Sequence, residues 1–226
     1  MIDRLPPKLA GVFFDLDGTL LDSARDLYAA LVDECDAAGV PSPPFAAVRE
    51  VVSRGSRAIL RVGFPHDDDD TIEARAPVYL ARYRADIARH TVPFDGIEAM
   101  LATREARGIV WGIVTNKPGF LTAELLPHLG YHTRAASVVS GDTLPVKKPD
   151  PAPVLLACDL AGVNPAACVF VGDDRRDIQA GQAAGMPAIA VAWGYLDGEH
   201  PDQWQADAVV DTPAALLEAL GLAAPA

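Results

Sequence analysis

Four short stretches carry most of the groups able to do chemistry: Asp15-Leu16-Asp17-Gly18-Thr19, Thr115-Asn116, Lys147-Lys148-Pro149, and Gly172-Asp173-Asp174 with Asp177. Taken singly, each has an ordinary structural use. Asp-x-Asp suits a turn, Thr-Asn a helix cap, Asp-Asp a helix N-terminus, and a lysine pair a solvated surface. Brought together they would form something more specific. Carboxylates in close company repel one another unless a cation sits among them. An oxygen-rich set of this kind suits Mg²⁺, which takes a few carboxylates, waters and a substrate phosphate. Lysine and threonine alongside supply donors for phosphate oxygens, the combination on which phosphoryl transfer depends. One carboxylate can be the nucleophile. A second, two residues later, can protonate the leaving group and then deprotonate the attacking water.

The surrounding patterns say how these groups could meet. Val12-Phe13-Phe14 reads as a buried strand stopping at the polar turn that begins with Asp15. Ser23 to Ala38 reads as a helix with Leu27, Ala30, Leu31 and Cys35 on one face, closed by Gly39. More helices are predicted near Ala46–Val52, Ser56–Val62 and Thr71–Arg89, with the acidic run Asp67–Asp70 as a solvated loop. After Pro93 the rhythm changes to alternation. Helix Gly96–Arg107 leads to strand Ile109–Val114, and a further helix leads to strand Ser137–Ser140. Helix Pro151–Ala161 then leads to strand Cys168–Val171, and helix Arg175–Ala184 to strand Ala188–Ala192. Such alternation predicts an α/β fold with a Rossmann-like parallel sheet. The helical block is then an insert, so the expected division is a core of residues 1–21 and 93–226 and a small all-helical cap of 22–92. In open α/β sheets ligands bind beyond the carboxyl ends of the strands, and Asp15, Thr115 and Asp173 each follow a predicted strand.

Charge and composition remove other classes. A net charge of −12, with only four lysines (Lys8, Lys117, Lys147 and Lys148), argues against nucleic acid as the main partner and against a polybasic membrane anchor. Cys35, Cys158 and Cys168 lack Cys-x-x-Cys spacing and read as buried free thiols of a reducing compartment. The first residues show no signal-peptide pattern, and no apolar run has membrane-span length. A cytoplasmic protein is the expectation, as a monomer or homodimer, with a small phosphorylated metabolite as partner and neither nucleic acid nor membrane. The Ala-rich tail, Gly221 to Ala226, is expected to fray.

Phe14-Asp15-Leu16-Asp17-Gly18-Thr19-Leu20 resembles the first motif of the haloacid dehalogenase-like hydrolases. Thr115 matches the second motif, Lys148-Pro149 the third, and Gly172-Asp173-Asp174-Arg175-Arg176-Asp177 is similar to the fourth. The resemblance implies Asp15 as nucleophile and Asp17 as general acid/base. It implies Mg²⁺ held by Asp15, the Asp17 carbonyl and Asp173, and a phosphate bound by Asp15, Gly18, Thr115, Asn116 and Lys148. Asp177 is implied as an outer partner of metal or lysine, and Asp174 either assists the metal or caps its helix. The insert resembles the cap of the phosphoglycolate phosphatase and β-phosphoglucomutase branch, whose turn at Ser53, Arg54, Gly55 and Arg57 would meet the substrate.

Within that resemblance, Asp17 argues against the carbon-attacking dehalogenases, and the lysine-free stretch between Lys8 and Lys117 argues against a Schiff-base chemistry in the cap. Ser140-Gly141-Asp142-Thr143-Leu144 and Val114-Thr115-Asn116-Lys117-Pro118 resemble bacterial phosphoglycolate phosphatases. Trp193-Gly194-Tyr195, Trp204 and Ala206-Asp207 resemble both that group and the related N-acetylmuramic acid 6-phosphate phosphatases. A Mg²⁺-dependent phosphatase acting on 2-phosphoglycolate is the first expectation, and a sugar-phosphate phosphatase or a phosphomutase the alternatives. A catalytically silent binding protein on the same fold is disfavoured because every motif position holds a competent residue.

Overall fold

The computed structural model describes residues 5–223. Six parallel strands form the main sheet: β1 (Gly11–Phe14), β4 (Val110–Val114), β5 (Ser137–Val139), β6 (Cys168–Gly172), β7 (Ala188–Val191) and β8 (Ala208–Val210), in the order β5-β4-β1-β6-β7-β8. The remaining strands, β2 (Leu21–Asp22) and β3 (Val92–Pro93), pair antiparallel as a separate two-residue ribbon. β1, β6 and β7 are buried along their whole length, as strands covered on both faces must be. Alternation along the chain assigns the faces. Val12 and Phe14 pack in one cluster with Ile97, Met100, Leu125 and Leu216, from helices α5 (Ile97–Glu105), α6 (Gly119–His128) and α10 (Pro213–Ala219). Phe13 faces the other way, against Val154, Cys158 and Ala180 of α8 (Ala152–Leu160) and α9 (Arg175–Ala183). A single turn, α7 (Tyr131–Arg134), precedes β5.

Between β2 and β3 lies an insertion of helices α1 (Ala24–Ala38), α2 (Phe45–Glu50), α3 (Ser56–Gly63) and α4 (Asp69–Ala85), with a 3₁₀ turn at Val52–Arg54. Its apolar side chains, among them Leu31, Leu60 and Tyr79, are continuous with the sheet core. Inside it, buried Glu34 of α1 accepts from Arg75 at 3.0 Å and from Arg82 at 2.9 Å, both of α4. The crossing into and out of the insertion is bound polar group by polar group. Asp26 accepts from the backbone of His90 and Thr91 and from the Thr91 hydroxyl. Tyr195 Oη accepts from the amides of Ser23 and Ala24 and donates to Asp22.

The predicted helices and strands are present, with ends shifted by up to a few residues, and four details differ. The acidic run is a loop only in its first half: Asp68 caps α4 by accepting from Thr71, and Asp69 and Asp70 lie in the first turn of that helix, where negative charge suits the helix dipole. The ribbon of β2 and β3 carries no periodicity to read because each strand is two residues long. β8 and α10 extend the fold past the last predicted strand. The tail is anchored further than expected, with Leu222 buried and its amide bonded to the Leu217 carbonyl at 2.8 Å; residues 224–226 of that stretch, like residues 1–4, lie outside the described residues. The three cysteines are free and buried, and among the described residues no helix is long and apolar enough to cross a membrane.

Candidate active site

The carboxyl ends of β1, β4 and β6 lie side by side in the sheet, and each delivers part of one centre. Asp15, directly after β1, donates its amide to Val171 at 3.0 Å, which fixes its backbone against β6. Asp173 follows β6, and Asp177 stands one helical turn into the chain beyond it. Carboxylate oxygens of Asp15, Asp173 and Asp177 all lie within 4.8 Å of one another, and all three residues are buried. Lys148 Nζ is 2.8 Å from Asp15 Oδ1 and 2.7 Å from Asp177 Oδ1. Both contacts are ion pairs, and they hold the buried ammonium between the two carboxylates.

The ionisation of this cluster follows from burial. Desolvation, and then the nearby Asp15 charge, pushes Asp173 up to about 7, against donors from Thr19, Tyr195 and Ser53 that pull the other way. Burial also raises Asp177, the Lys148 ammonium compensating only in part. For Lys148 burial works against the charge, but Asp15 and Asp177 outweigh it and hold the ammonium above its ordinary value. A buried group of three carboxylates facing one ammonium is short of positive charge, a deficit that a divalent cation would supply. The space around it is tight: at Gly18, whose φ is 89°, a Cβ would overlap the Asp173 carboxylate.

Asp17 points elsewhere. Its Oδ1 accepts from Ser23 Oγ at 2.6 Å, and Lys117 Nζ approaches its two oxygens at 3.3 and 3.1 Å. Lys117 is buried, lies 2.8 Å from Tyr83 Oη of α4, and stays charged because Asp17 and Tyr83 outweigh its burial. Thr115, after β4, is buried, and its Oγ1 accepts from the Lys117 amide at 3.1 Å. Asn116 spends both ends of its side-chain amide on the main chain of Lys148, at 3.1 Å each. It therefore positions the lysine. Asp174 caps α9 in a capping box with Asp177 and binds Arg176 at 2.8 and 2.7 Å; its carboxylate is outside the three-residue cluster. Arg176 outweighs burial and keeps it below the usual carboxylate range.

Asp15, Asp17, Thr115, Asn116, Lys147 and Arg176 open onto a cavity of about 370 Å³ beneath the insertion. The turn of Ser53, Arg54, Gly55 and Arg57 lines its other side, with an apolar wall that includes Leu27, Ile59 and Leu80. Arg54 pairs with Asp197 and Arg57 with Glu73, and both guanidinium groups are largely exposed. Ser53 instead turns its hydroxyl to Asp173. Sequence reasoning did not single out Thr19, Ser23, Tyr83, Tyr195 or Arg176 for these contacts. Lys117 carried a usable signal, as one of few lysines in an acidic chain standing directly after Thr115-Asn116.

Comparison with known proteins agrees with this geometry. The sequence profile described as haloacid dehalogenase-like hydrolase matches residues 12–191. A phosphoglycolate phosphatase of Xanthomonas campestris pv. campestris is 50% identical over 208 residues, covering 92% of this chain and 94% of that protein. An N-acetylmuramic acid 6-phosphate phosphatase of Pseudomonas aeruginosa is 40% identical over 215 residues, covering 94% and 95%. Among solved structures, one from Haemophilus somnus described as a predicted phosphoglycolate phosphatase superposes with a TM-score of 0.83 at 24% identity, covering 93% of this chain and 97% of that one; at that identity it speaks for the fold. The strand order, the carboxylate-lysine centre and these matches agree: the chain belongs to the haloacid dehalogenase-like hydrolases.

Proposed function

We propose that this chain is a Mg²⁺-dependent phosphatase that cleaves a small phosphate monoester through a phosphorylated Asp15. The observation that carries the reading is the Asp15 carboxylate, buried among Asp173, Asp177 and Lys148 yet facing the cavity, with Asp17 two residues along the same turn. Asp15 attacks phosphorus while the bond to the leaving oxygen breaks, and Asp17 gives that oxygen its proton. Asp17, now a carboxylate, takes a proton from water, whose oxygen attacks the phosphorus of the acyl phosphate. Free phosphate leaves and the Asp15 carboxylate is regenerated. Lys148 and Thr115 bind phosphoryl oxygens, and Asn116 holds Lys148 in place. Asp15, Asp173 and the Asp17 carbonyl would hold Mg²⁺, which supplies charge neutralisation at the phosphoryl group. Residues 22–92 act as the cap over a core of residues 1–21 and 93–226, and the three free thiols suit a cytoplasmic enzyme.

The preferred substrate is 2-phosphoglycolate, supported by the 50% identical relative and by the arginines at the cavity rim, which suit a small carboxylate. A second reading, N-acetylmuramic acid 6-phosphate, is favoured by the cavity's size and apolar wall and by the 40% identical relative. Phosphate release measured with Mg²⁺ and with EDTA, for both compounds and for glucose phosphates, decides between them. The proposal expects metal-dependent hydrolysis with the highest kcat/KM for 2-phosphoglycolate. A higher value for the amino-sugar phosphate would transfer the assignment, and metal-independent or absent hydrolysis would overturn the phosphatase reading.

A further inference from the structure

Asp173 is held by three donors of unlike origin. Thr19 Oγ1 donates to Oδ1 at 2.7 Å, and the Tyr195 amide donates to Oδ2 at 2.9 Å; both belong to the sheet unit. The third donor, Ser53 Oγ, reaches Oδ2 at 2.9 Å from the 3₁₀ turn of the helical insertion. The carbonyl of the same serine accepts from Arg176 Nη2 at 2.6 Å, and Arg176 is gripped in turn by Asp174. The chain of contacts therefore leaves the sheet unit at Arg176, which Asp174 holds, passes through Ser53, and returns at Asp173. Flanking ties brace it: Arg49 of α2 donates to the Trp193 and Gly194 carbonyls at 3.2 Å each, and Arg54 pairs with Asp197 at 2.6 Å.

We propose that Ser53 is a positioning residue that couples seating of the helical insertion to cation binding at Asp173, with Asp174 and Arg176 holding it in register. The proposal rests on the cation site of the phosphatase reading. An ionised carboxylate offers about four acceptor positions, and three donors leave room for a cation ligand without displacing Ser53. A cation on the remaining acceptor position would fix the direction of the Asp173 carboxylate, and with it the oxygen that Ser53 reaches at 2.9 Å. Occupancy thus holds the acceptor where the turn meets it and keeps the turn on the centre. By linkage, a seated insertion must raise cation affinity by the same factor. This gives Asp174 a role beyond its cap: its charge orients the arginine that fixes the Ser53 main chain.

The test uses Mn²⁺ as probe on the full chain. Affinity is read from the electron paramagnetic resonance signal of free Mn²⁺, and seating from hydrogen exchange at Arg54 and Gly55, whose amides bond to Val51 and Val52. In the unaltered protein Mn²⁺ should bind and slow exchange at both amides. Ser53→Ala should weaken Mn²⁺ binding by about tenfold, the lower range for loss of an outer partner of a metal ligand, and abolish the Mn²⁺-dependent slowing. Ser53→Thr, which keeps the hydroxyl, should restore both. Asp174→Asn preserves a good helix cap and should give a smaller loss in the same two readouts. Unchanged affinity or undiminished slowing in Ser53→Ala would overturn the coupling alone. Failure of the unaltered protein to take up Mn²⁺ would overturn the cation site, and the coupling with it.

Discussion

At the residue scale the centre sets three buried carboxylates against one ammonium, the charge balance on which the proposed cation site rests. Burial raises Asp173 to about 7 and moves Asp177 in the same direction. A carboxyl whose folded pKa exceeds its unfolded value opposes folding once it ionises, so the metal-free protein should lose stability as pH rises from about 4 through about 7. A bound cation relieves this by compensating the carboxylate charge. Mg²⁺ should therefore raise the melting temperature more at about pH 8 than at about pH 5, as scanning fluorimetry with and without EDTA can read; equal shifts would contradict it. Asp17→Asn should lower kcat by roughly 10²–10⁴-fold, the usual worth of a general acid/base, with the metal-dependent melting shift retained because the Asp17 carbonyl is untouched. A shift lost along with activity would make the Asp17 side chain a metal group. The motif residues were legible because each follows a strand ending in polar chemistry. Their partners were not, since Ser23, Tyr83 and Tyr195 meet Asp17, Lys117 and the hinge only after the insertion has folded over the sheet.

At the element scale, strands and helices were readable where burial imposes a period, and unreadable where length is too short for one. β2 and β3 owe their existence to the hinge around them, in which Tyr195 Oη accepts the Ser23 and Ala24 amides. Tyr195→Phe leaves those buried donors without an acceptor and should cost about 1–3 kcal/mol, measured by urea unfolding; a loss below the error of the fit would contradict the hinge assignment. α5 holds the opposite case. Arg104 is fully buried with none of its guanidinium nitrogens hydrogen-bonded, its charge resting on the Phe14 ring at 4.4 Å. Burial pulls its pKa down to about 9. Among the described residues only the Glu105 charge opposes that burial, and buried polar groups left without hydrogen bonds cost about 1–3 kcal/mol that an apolar side chain of similar volume avoids. Arg104→Met should thus leave the melting temperature unchanged or raise it by several degrees, at roughly 2–4 °C per kcal/mol. A fall would mean that the guanidinium has a compensating partner. Sequence patterning could not flag Arg104, because an arginine in the last turn of a helix reads as a solvated cation favoured by the dipole.

At the scale of the whole molecule, the carboxylate-lysine centre on the sheet faces a wall contributed by the insertion across one cavity. Family membership and the α/β plan follow from the sheet side, which the sequence displays in order. The wall is assembled from α1, α3, α4 and the 3₁₀ turn, so its shape depends on packing that no linear motif encodes. Arg54 and Arg57 were expected at the substrate; they line the cavity but pair with Asp197 and Glu73. Exposed pairs of that kind are worth about 0–1 kcal/mol, so either arginine can turn to a substrate carboxylate. Arg54→Ala and Arg57→Ala should raise KM for 2-phosphoglycolate more than for p-nitrophenyl phosphate, which has no carboxylate. Equal changes on both substrates would remove them from specificity.

In the proposed reaction Asp15 carries the phosphoryl group. Rapid acid quench of the Mg²⁺-loaded protein with substrate, followed by peptide mass spectrometry, would trap that species. An alkali-labile phosphoryl group on the peptide containing Asp15, absent in Asp15→Asn together with turnover, is the predicted result. Turnover with no phosphorylated peptide at any quench time, or retained activity in Asp15→Asn, would contradict it.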